Sequence, residues 1–259
     1  MIPPYADAVV IVTGASTGLG RAIAVGAAAQ GARAVVVNYA SSADEAEVTA
    51  AKVREVGAEA VLARGDVGED ADCRRIVAAA ESYGRIDALF NNAGTSKINS
   101  YANLDGLDAD DFLRIYRINV VGPYQMVRAA RTLLEASDRA AVVMTSSIAG
   151  LTGGGSSIAY ASSKGALNAL TFGLARAVAP KIRVNAICPG YIDSPWFDRL
   201  GYEGGKGKLA EHIAKTTPLK VASQPEDIAD TALFLGSRAA RHVTGETLLV
   251  DAGLHLAGS

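Results

Sequence analysis

Short β-branched runs alternate with longer helical patterns along almost the whole of the 259-residue chain, and no other feature constrains the fold as much. Residues 8–13 form an apolar run that leads into a glycine-rich turn and an alanine-rich helix reaching about residue 30, where Gly31 supplies a C-terminal cap. Further strands are predicted at 33–38, 58–64, 86–90, 141–146, 182–187 and 248–251. Helical patterns lie between them at 43–56, 69–83, 108–136 and 158–178, with the third obliged to bend at Gly122-Pro123. Ser223-Gln-Pro-Glu226 reads as a capping box opening a last helix that ends near Gly236. Strands this continuously apolar are covered on both faces, so the expected architecture is α/β, a doubly wound parallel sheet with helices on both sides. No repeat or low-complexity linker divides the chain, and one domain over residues 1–259 is expected.

Composition removes several functions. Hydrophobic residues make up 49% of the chain, enough for one large core. The formal charge is −2 and the Lys and Arg residues are scattered, which argues against nucleic acid or an anionic membrane as partner. Cys73 and Cys188 form no disulfide framework and fit a reducing, cytoplasmic setting. His212, His242 and His255 match no metal-ligand spacing, so no metal is expected. No apolar run approaches the ~20 residues a bilayer demands, and the start lacks a basic segment followed by an apolar core.

The turn after the first strand is Thr13-Gly14-Ala15-Ser16-Thr17-Gly18-Leu19-Gly20. Glycines let backbone approach a pyrophosphate, and the N-terminus of the following helix attracts its charge. A dinucleotide-binding fold needs such a turn between its first strand and first helix. The spacing is T-G-x-x-x-G-x-G rather than G-x-G-x-x-G.

Tyr160 and Lys164 stand four apart in the predicted 158–178 helix and therefore share a face. A phenol with pKa near ~10 is a poor acid at neutral pH. A neighbouring cation favours the phenolate and is expected to pull that pKa down. Ser147, just after the 141–146 strand, adds a hydroxyl donor. Together these groups can protonate a carbonyl oxygen.

The glycine pattern, then Asn91-Asn92-Ala93-Gly94, Asn119, Ser147, Tyr160-x-x-x-Lys164 and Pro189-Gly190, resembles the short-chain dehydrogenase/reductase family, with its Rossmann-like fold, over about residues 8–253. Val35-Val36-Val37-Asn38-Tyr39 and Val250-Asp251-Ala252-Gly253 are similar to the 3-oxoacyl-carrier-protein reductase-like subgroup. The resemblance implies that Gly14, Ser16, Gly18, Leu19 and Gly20, with Thr17 beside them, line the cofactor phosphates. Asp66 and Val67 would meet the adenine, and Asn92, Ala93 and Gly94 the adenosine ribose. Ile192 and Ser194, after Pro189-Gly190, would hold the nicotinamide carboxamide; the family usually has Thr where Ser194 stands. Ser147 would stabilise the developing oxyanion and Tyr160 would deliver the proton. Lys164 would tune the tyrosine and bind the nicotinamide ribose, and Asn119 would hold a water linking Lys164 to solvent. Family spacing selects Ser147 over Ser146, which should face the other way.

At the end of the second strand an acidic residue would bind the ribose diol of NAD and repel the 2′-phosphate of NADP. Asn38 stands there instead, followed by the potential donors Ser41 and Ser42. No arginine occupies the places where NADP-specific relatives often carry one; Thr17 and Ala40 do. NADP(H) is therefore favoured and NAD(H) remains open. The expected function is hydride transfer between the cofactor and a small-molecule carbonyl or secondary alcohol, including 3-oxoacyl thioesters. The alternatives are a non-catalytic cofactor sensor and a glucose-type sugar dehydrogenase; a sugar-nucleotide epimerase would need a further substrate domain. Residues 194–217, with Trp196, Phe197, Tyr202 and the glycine-rich piece 201–207, lie where the family places a mobile substrate lid. Docking of an acyl carrier protein has only Lys181 and Arg139 to recommend it. Family members are commonly tetramers, so a homotetramer is expected, built partly on the helices at 108–136 and 158–178.

Overall fold

A computed structural model of the protein describes residues 3–200 and 206–257. In chain order the elements are β1 (Val9–Val12), α1 (Gly18–Ala29), β2 (Ala34–Tyr39), α2 (Ala43–Glu55), β3 (Glu59–Arg64), α3 (Asp70–Ala78), β4 (Ala88–Asn91), α4 (Ala109–Tyr116), α5 (Gly122–Glu135), β5 (Ala141–Thr145), α6 (Ala149–Thr152), α7 (Ile158–Val178), β6 (Arg183–Pro189), α8 (Trp196–Arg199), α9 (Lys206–Thr216), α10 (Pro225–Gly236) and β7 (Thr247–Val250). Among the described residues the strands form one seven-stranded sheet in the order β3-β2-β1-β4-β5-β6-β7. Every pairing is parallel. The winding direction reverses between β1 and β4, where a doubly wound sheet opens a crevice at the carboxyl ends of its strands.

Alternation along β1 divides the core in two. Val10 and Val12 join Val35, Val37, Ile23 and Leu233 on the face covered by α1 and α10. Val9 and Ile11 join Val36, Ile76, Met126 and Leu167 on the face covered by α3, α5 and α7. All four β1 residues are buried, which is why the strand reads as a continuous apolar run.

Several predicted boundaries move. The helix expected at 69–83 stops at Ala78, and a 3₁₀ turn over Glu81–Tyr83 leads to Gly84 with φ 72°. The helix expected at 108–136 becomes α4, a π-helical segment over Arg117–Val121, and α5. Pro123 sits in the first turn of α5, where its missing N–H is tolerated, so the irregularity falls before Gly122-Pro123. The last long helix begins one residue later than predicted. Its first turn is closed by Asp227, whose carboxylate accepts from the Gln224 backbone N–H at 2.8 Å.

Under the sheet's amino end, Asp87 ties β1, β4 and the turn before β5 together. Its carboxylate accepts from the Val9 N–H at 2.8 Å, the Ser137 hydroxyl at 2.6 Å and Arg139 Nε at 3.1 Å. Burial pushes this carboxyl up, but these donors outweigh burial and hold it below its ordinary value.

Candidate active site

A cleft of about 1330 Å³ runs along the carboxyl ends of the strands. Of the site residues predicted from sequence, all but Asn119 line it. The cradle at its centre is built from the β1/β4 crossing. Thr13 Oγ1 accepts from the Asn92 and Ala93 N–H groups at 2.9 and 3.0 Å. Asn92 Nδ2 in turn donates to the carbonyls of Thr13 and Gly14 at 3.0 and 3.1 Å. Gly14 has φ 61°, and a Cβ there would come within 2.9 Å of Ala93 Cα. A Cβ on Gly20 would collide with the Gly14 carbonyl and lie 2.6 Å from Asn92 Nδ2. Behind this close approach α1 begins at Gly18, and its N-cap, Thr17, makes no side-chain hydrogen bond to the first turn. The amide donors of that turn, with the space that glycine leaves, fit the pyrophosphate of a dinucleotide.

Asn38 reaches the cleft wall, but its side chain does other work. It is 1% exposed. Oδ1 accepts from the Gly14 N–H at 3.1 Å, and Nδ2 donates to the carbonyls of Ala63 and Gly65, each at 3.0 Å. The side chain thus braces the glycine turn against β3. Strand β2 runs one residue further than expected, so Tyr39, followed by Ala40, Ser41 and Ser42, stands at its end on the cleft wall.

Asp66 and Val67 lie next to this end of the cleft. Asp66 Oδ1 accepts from the Gly68 N–H at 2.8 Å, and its carboxylate lies 3.7 Å from Arg117. Ala93 and Gly94 continue the floor toward the opposite end. A Cβ on Gly94 would stand 3.8 Å from both Lys164 Nζ and Trp196. Pro189 and Gly190 close β6, and the Gly190 N–H donates to the Val250 carbonyl at 3.2 Å. Ile192 bridges to Ser223 beyond them, and the buried Ser194 accepts from the Trp196 N–H at 3.4 Å.

Tyr160 and Lys164 project from one face of α7 as predicted. Ser157 caps the helix by accepting the Tyr160 N–H at 3.3 Å, which fixes the tyrosine in the first turn. Lys164 is 4% exposed. Its Nζ donates to the Thr145 carbonyl at 2.7 Å and lies 5.5 Å from the centre of the Tyr160 ring. Ser147 Oγ accepts from the Ala149 N–H at 3.1 Å and faces Tyr160. Ser146 turns away, its hydroxyl 2.6 Å from Asn168 Oδ1 and 3.2 Å from the Lys164 carbonyl.

The electrostatics reverse one expectation. Burial pushes the Tyr160 phenol up to about 12, although the hydrogen bond from Ser147 pulls the other way. Burial also pulls Lys164 down, to about 8. A cation four residues along was expected to lower the tyrosine. Here the lysine is itself held in a poorly solvated floor, and it is turned toward a main-chain carbonyl, so desolvation dominates.

Asn119 occupies the π-helical segment behind the cleft. Its Oδ1 accepts from the Thr95 N–H at 2.8 Å, while Nδ2 donates to the Thr95 carbonyl at 2.9 Å and Ser163 Oγ at 3.0 Å. The side chain therefore pins the loop after β4 to α7. Both amide hydrogens are engaged, which leaves one lone pair of Oδ1 for a water of the kind expected.

Leu209 and Ile213 of α9 line the wall from within the expected 194–217 segment, whereas Ile98 and Tyr101, from the loop after β4, and Leu254, His255 and Ala257, from the end of the described chain, were not anticipated. Tyr101 donates to the Gly153 carbonyl at 2.6 Å, fastening its loop to the glycine-rich approach to α7. The segment expected as a lid carries α8 and α9. Trp196 packs against Tyr160 with ring centres 6.3 Å apart and planes inclined at 52°. Tyr202 and most of the predicted glycine-rich piece lie outside the described residues, as does the side chain of Phe197.

This combination of crossover cleft, glycine cradle and paired Tyr and Lys defines a class of dinucleotide-dependent oxidoreductase. Residues 14–255 match the family described as enoyl-(acyl carrier protein) reductase. The chain is 43% identical over 249 residues to a Streptomyces violaceoruber protein named for ketoacyl reductase 2 of the granaticin polyketide synthase, covering 96% of each. It is 35% identical over 255 residues to an L-rhamnose 1-dehydrogenase (NAD(P)(+)) of Sphingomonas sp. strain SKA58, covering 95% of this chain and 96% of that one. A crystal structure of a Burkholderia xenovorans protein described as a short-chain dehydrogenase/reductase superposes with TM-score 0.88 at 41% identity, covering 96% of this chain and 98% of that one. The chain belongs to the short-chain dehydrogenase/reductase family, in its 3-oxoacyl-carrier-protein reductase-like branch. It is an NAD- or NADP-dependent oxidoreductase acting on C=O and CH–OH groups.

The position of Asn38 yields a test. Asn38→Asp removes two donors from buried carbonyls and sets a carboxylate against them. It should cost about 1–3 kcal/mol of stability in urea unfolding and leave the balance between NAD(H) and NADP(H) largely unchanged. Unaltered stability with a reversed cofactor order would show instead that position 38 faces the cofactor ribose.

Proposed function

We propose that the chain is an NADP(H)-preferring reductase of small carbonyl compounds, with 3-oxoacyl thioesters as the leading class, in which Ser147, Tyr160 and Lys164 carry the chemistry. The carrying observation is the convergence of these three side chains at the floor of the cleft, with Trp196 over the tyrosine. A nicotinamide held in this cleft would supply hydride to the carbonyl carbon. Ser147 donates a hydrogen bond to the carbonyl oxygen as charge builds on it. Tyr160, which burial keeps protonated through neutral pH, delivers its proton to that oxygen. Lys164 holds positive charge beneath the phenol as the phenolate forms and offers its remaining donors to the nicotinamide ribose. Asn119 acts as a brace that fixes the Thr95 loop and α7 in register. Closure of α8 and α9 over the bound substrate would exclude water from this transfer. The apolar wall of Ile98, Trp196, Leu209, Ile213 and Leu254 suits an acyl chain and, with the ketoacyl reductase relative, favours the thioester over the sugar reading.

The preference for NADP(H) draws support from a residue on the neighbouring strand. No carboxylate follows β2 before Asp44, so nothing at Tyr39 to Ser42 repels a 2′-phosphate. Arg64 pairs with Tyr39 in the β2/β3 register, and its Nε donates to the Ala40 carbonyl at 3.3 Å, beside Ser41. Its guanidinium can supply the cation that the loop lacks.

A homotetramer is supported by large apolar side chains left exposed on α4, α5 and α7 (Leu113, Tyr124 and Phe172), and by Phe234 and Leu248 elsewhere. Light scattering at micromolar concentration reads the state directly. Two buried free thiols, Cys73 and Cys188, accord with a cytoplasmic setting.

Two outcomes are expected. Tyr160→Phe should fold and bind reduced cofactor yet lose ~10²–10⁴-fold in ketone reduction, the usual yield of positioned acid catalysis; more than a tenth of parental turnover would remove Tyr160 as the acid. Arg64→Gln should raise the Kd for NADPH about three- to tenfold and leave that for NADH unchanged; equal effects on both cofactors would put the phosphate elsewhere.

A further inference from the structure

The far wall of the cleft carries a second polar device. The last strand, β7, runs into a tight turn, and a 3₁₀ segment over Leu254–Leu256 then turns back along the cleft. Asp251 lies at that turn with its side chain only 4% exposed. A Cβ on Gly190 would come within 2.8 Å of its Cβ, which sets it directly behind the end of β6. Its Oδ1 accepts from the Gly253 N–H at 2.9 Å, and Oδ2 accepts from the His255 N–H at 2.8 Å. The same Oδ2 lies 2.9 Å from His255 Nδ1. The imidazole is 34% exposed and lines the cleft.

This arrangement assigns the histidine a tautomer. An ionised carboxylate only accepts hydrogen bonds, so Nδ1 must carry the proton that bridges to Asp251. In the neutral ring Nε2 is then a bare acceptor. With Nδ1 held by Asp251, Nε2 is the ring nitrogen left to meet a ligand in the cleft. Among the described lining residues, the only other Lys, Arg or His is Lys164, which is buried and bonded to the Thr145 carbonyl. The cleft lining also includes the apolar Leu254 and Ala257, next to the histidine in sequence, and Leu209 and Ile213 of α9. One oriented acceptor in an apolar wall selects for one donor at a set distance from the reacting carbon.

We infer that His255, held by Asp251, is a substrate-binding residue that accepts a hydrogen bond from a hydroxyl on the substrate remote from the carbonyl being reduced. The inference rests on the carbonyl-reductase reading above and narrows its substrate class to ketones, acyl thioesters among them, that carry a distal hydroxyl. A plain 3-oxoacyl chain offers Nε2 no donor. Tyr160 handles the reacting oxygen and His255 the distal one.

Two measurements test this separately. The first is a matched series of methyl ketones with a terminal hydroxyl, from 5-hydroxypentan-2-one to 8-hydroxyoctan-2-one, each compared with its unsubstituted parent ketone. At one or two chain lengths the hydroxyl should lower KM about tenfold with kcat little changed. His255→Phe should erase that advantage while leaving reduction of the parent ketones and the Kd for NADPH within about twofold. His255→Gln, which keeps an acceptor, should recover part of it. Parent ketones reduced as well as every hydroxyketone, or an advantage that survives in His255→Phe, would overturn the inference while leaving the reductase reading intact. The second measurement needs no turnover. Long-range ¹H–¹⁵N spectra of the imidazole should show His255 protonated at Nδ1 and bare at Nε2, and the opposite tautomer would overturn the assignment even if no ketone is reduced.

Discussion

The active cleft depends on keeping a lysine out of water. Lys164 stands on the buried face of α7, and its ammonium is held by the Thr145 carbonyl at the end of β5. That one contact joins the helix bearing Tyr160 to the strand that leads to Ser147. Burial of the ammonium pulls its pKa down, to about 8, because a poorly solvated cation loses its proton more readily. The polar groups around it are almost all committed: Ser146 to Asn168, Asn119 to Thr95 and Ser163. The tyrosine above is left with Ser147 as its hydrogen-bonding neighbour and with burial as the dominant influence. A proton held this firmly in the free protein suits an acid that should release it only as negative charge develops on a substrate oxygen.

The other half of the cleft is organised by backbone. The Thr13–Asn92 hydrogen bonds lock β1 to β4 where the winding reverses, and the space this leaves can be lined only by residues without a Cβ at Gly14 and Gly20. The two halves meet along Ala93 and Gly94, so a dinucleotide lying on the glycine turn would bring its far end to Lys164 and Tyr160. The position of the crevice follows from topology, whereas its chemistry follows from a few side chains grafted on it.

Much of this was legible in the sequence. The strands, the alternating cover and the order of motifs follow from periodicity and from glycines at turn positions. What was not legible depends on neighbours that are remote in sequence. Asn38 reads as a cofactor residue at the end of β2, but its partners are on β3 and in the glycine turn, and they absorb its amide. Arg64 reads as an ordinary strand residue until the β2/β3 register sets its guanidinium beside Ala40. The Tyr160 pKa was argued from a cation four residues away, and the local rule failed because burial acts on both groups at once. His255 matched no ligand spacing, yet the turn after β7 folds it onto Asp251 at the edge of the cleft.

The central claim is that a buried, partly discharged Lys164 must be charged for the tyrosine to act as acid. The pH dependence of kcat/KM for the reduced cofactor, with the ketone saturating, reports groups in the free enzyme. Because burial lowers the Lys164 pKa, the ammonium is present below about 8 and lost above it. The profile should therefore be flat on the acid side and fall about tenfold per unit above a midpoint near 8, and Lys164→Met should lose both the activity and the limb. A profile that stays flat to the intrinsic range of lysine, ~10, or a limb that persists in Lys164→Met, would contradict the account.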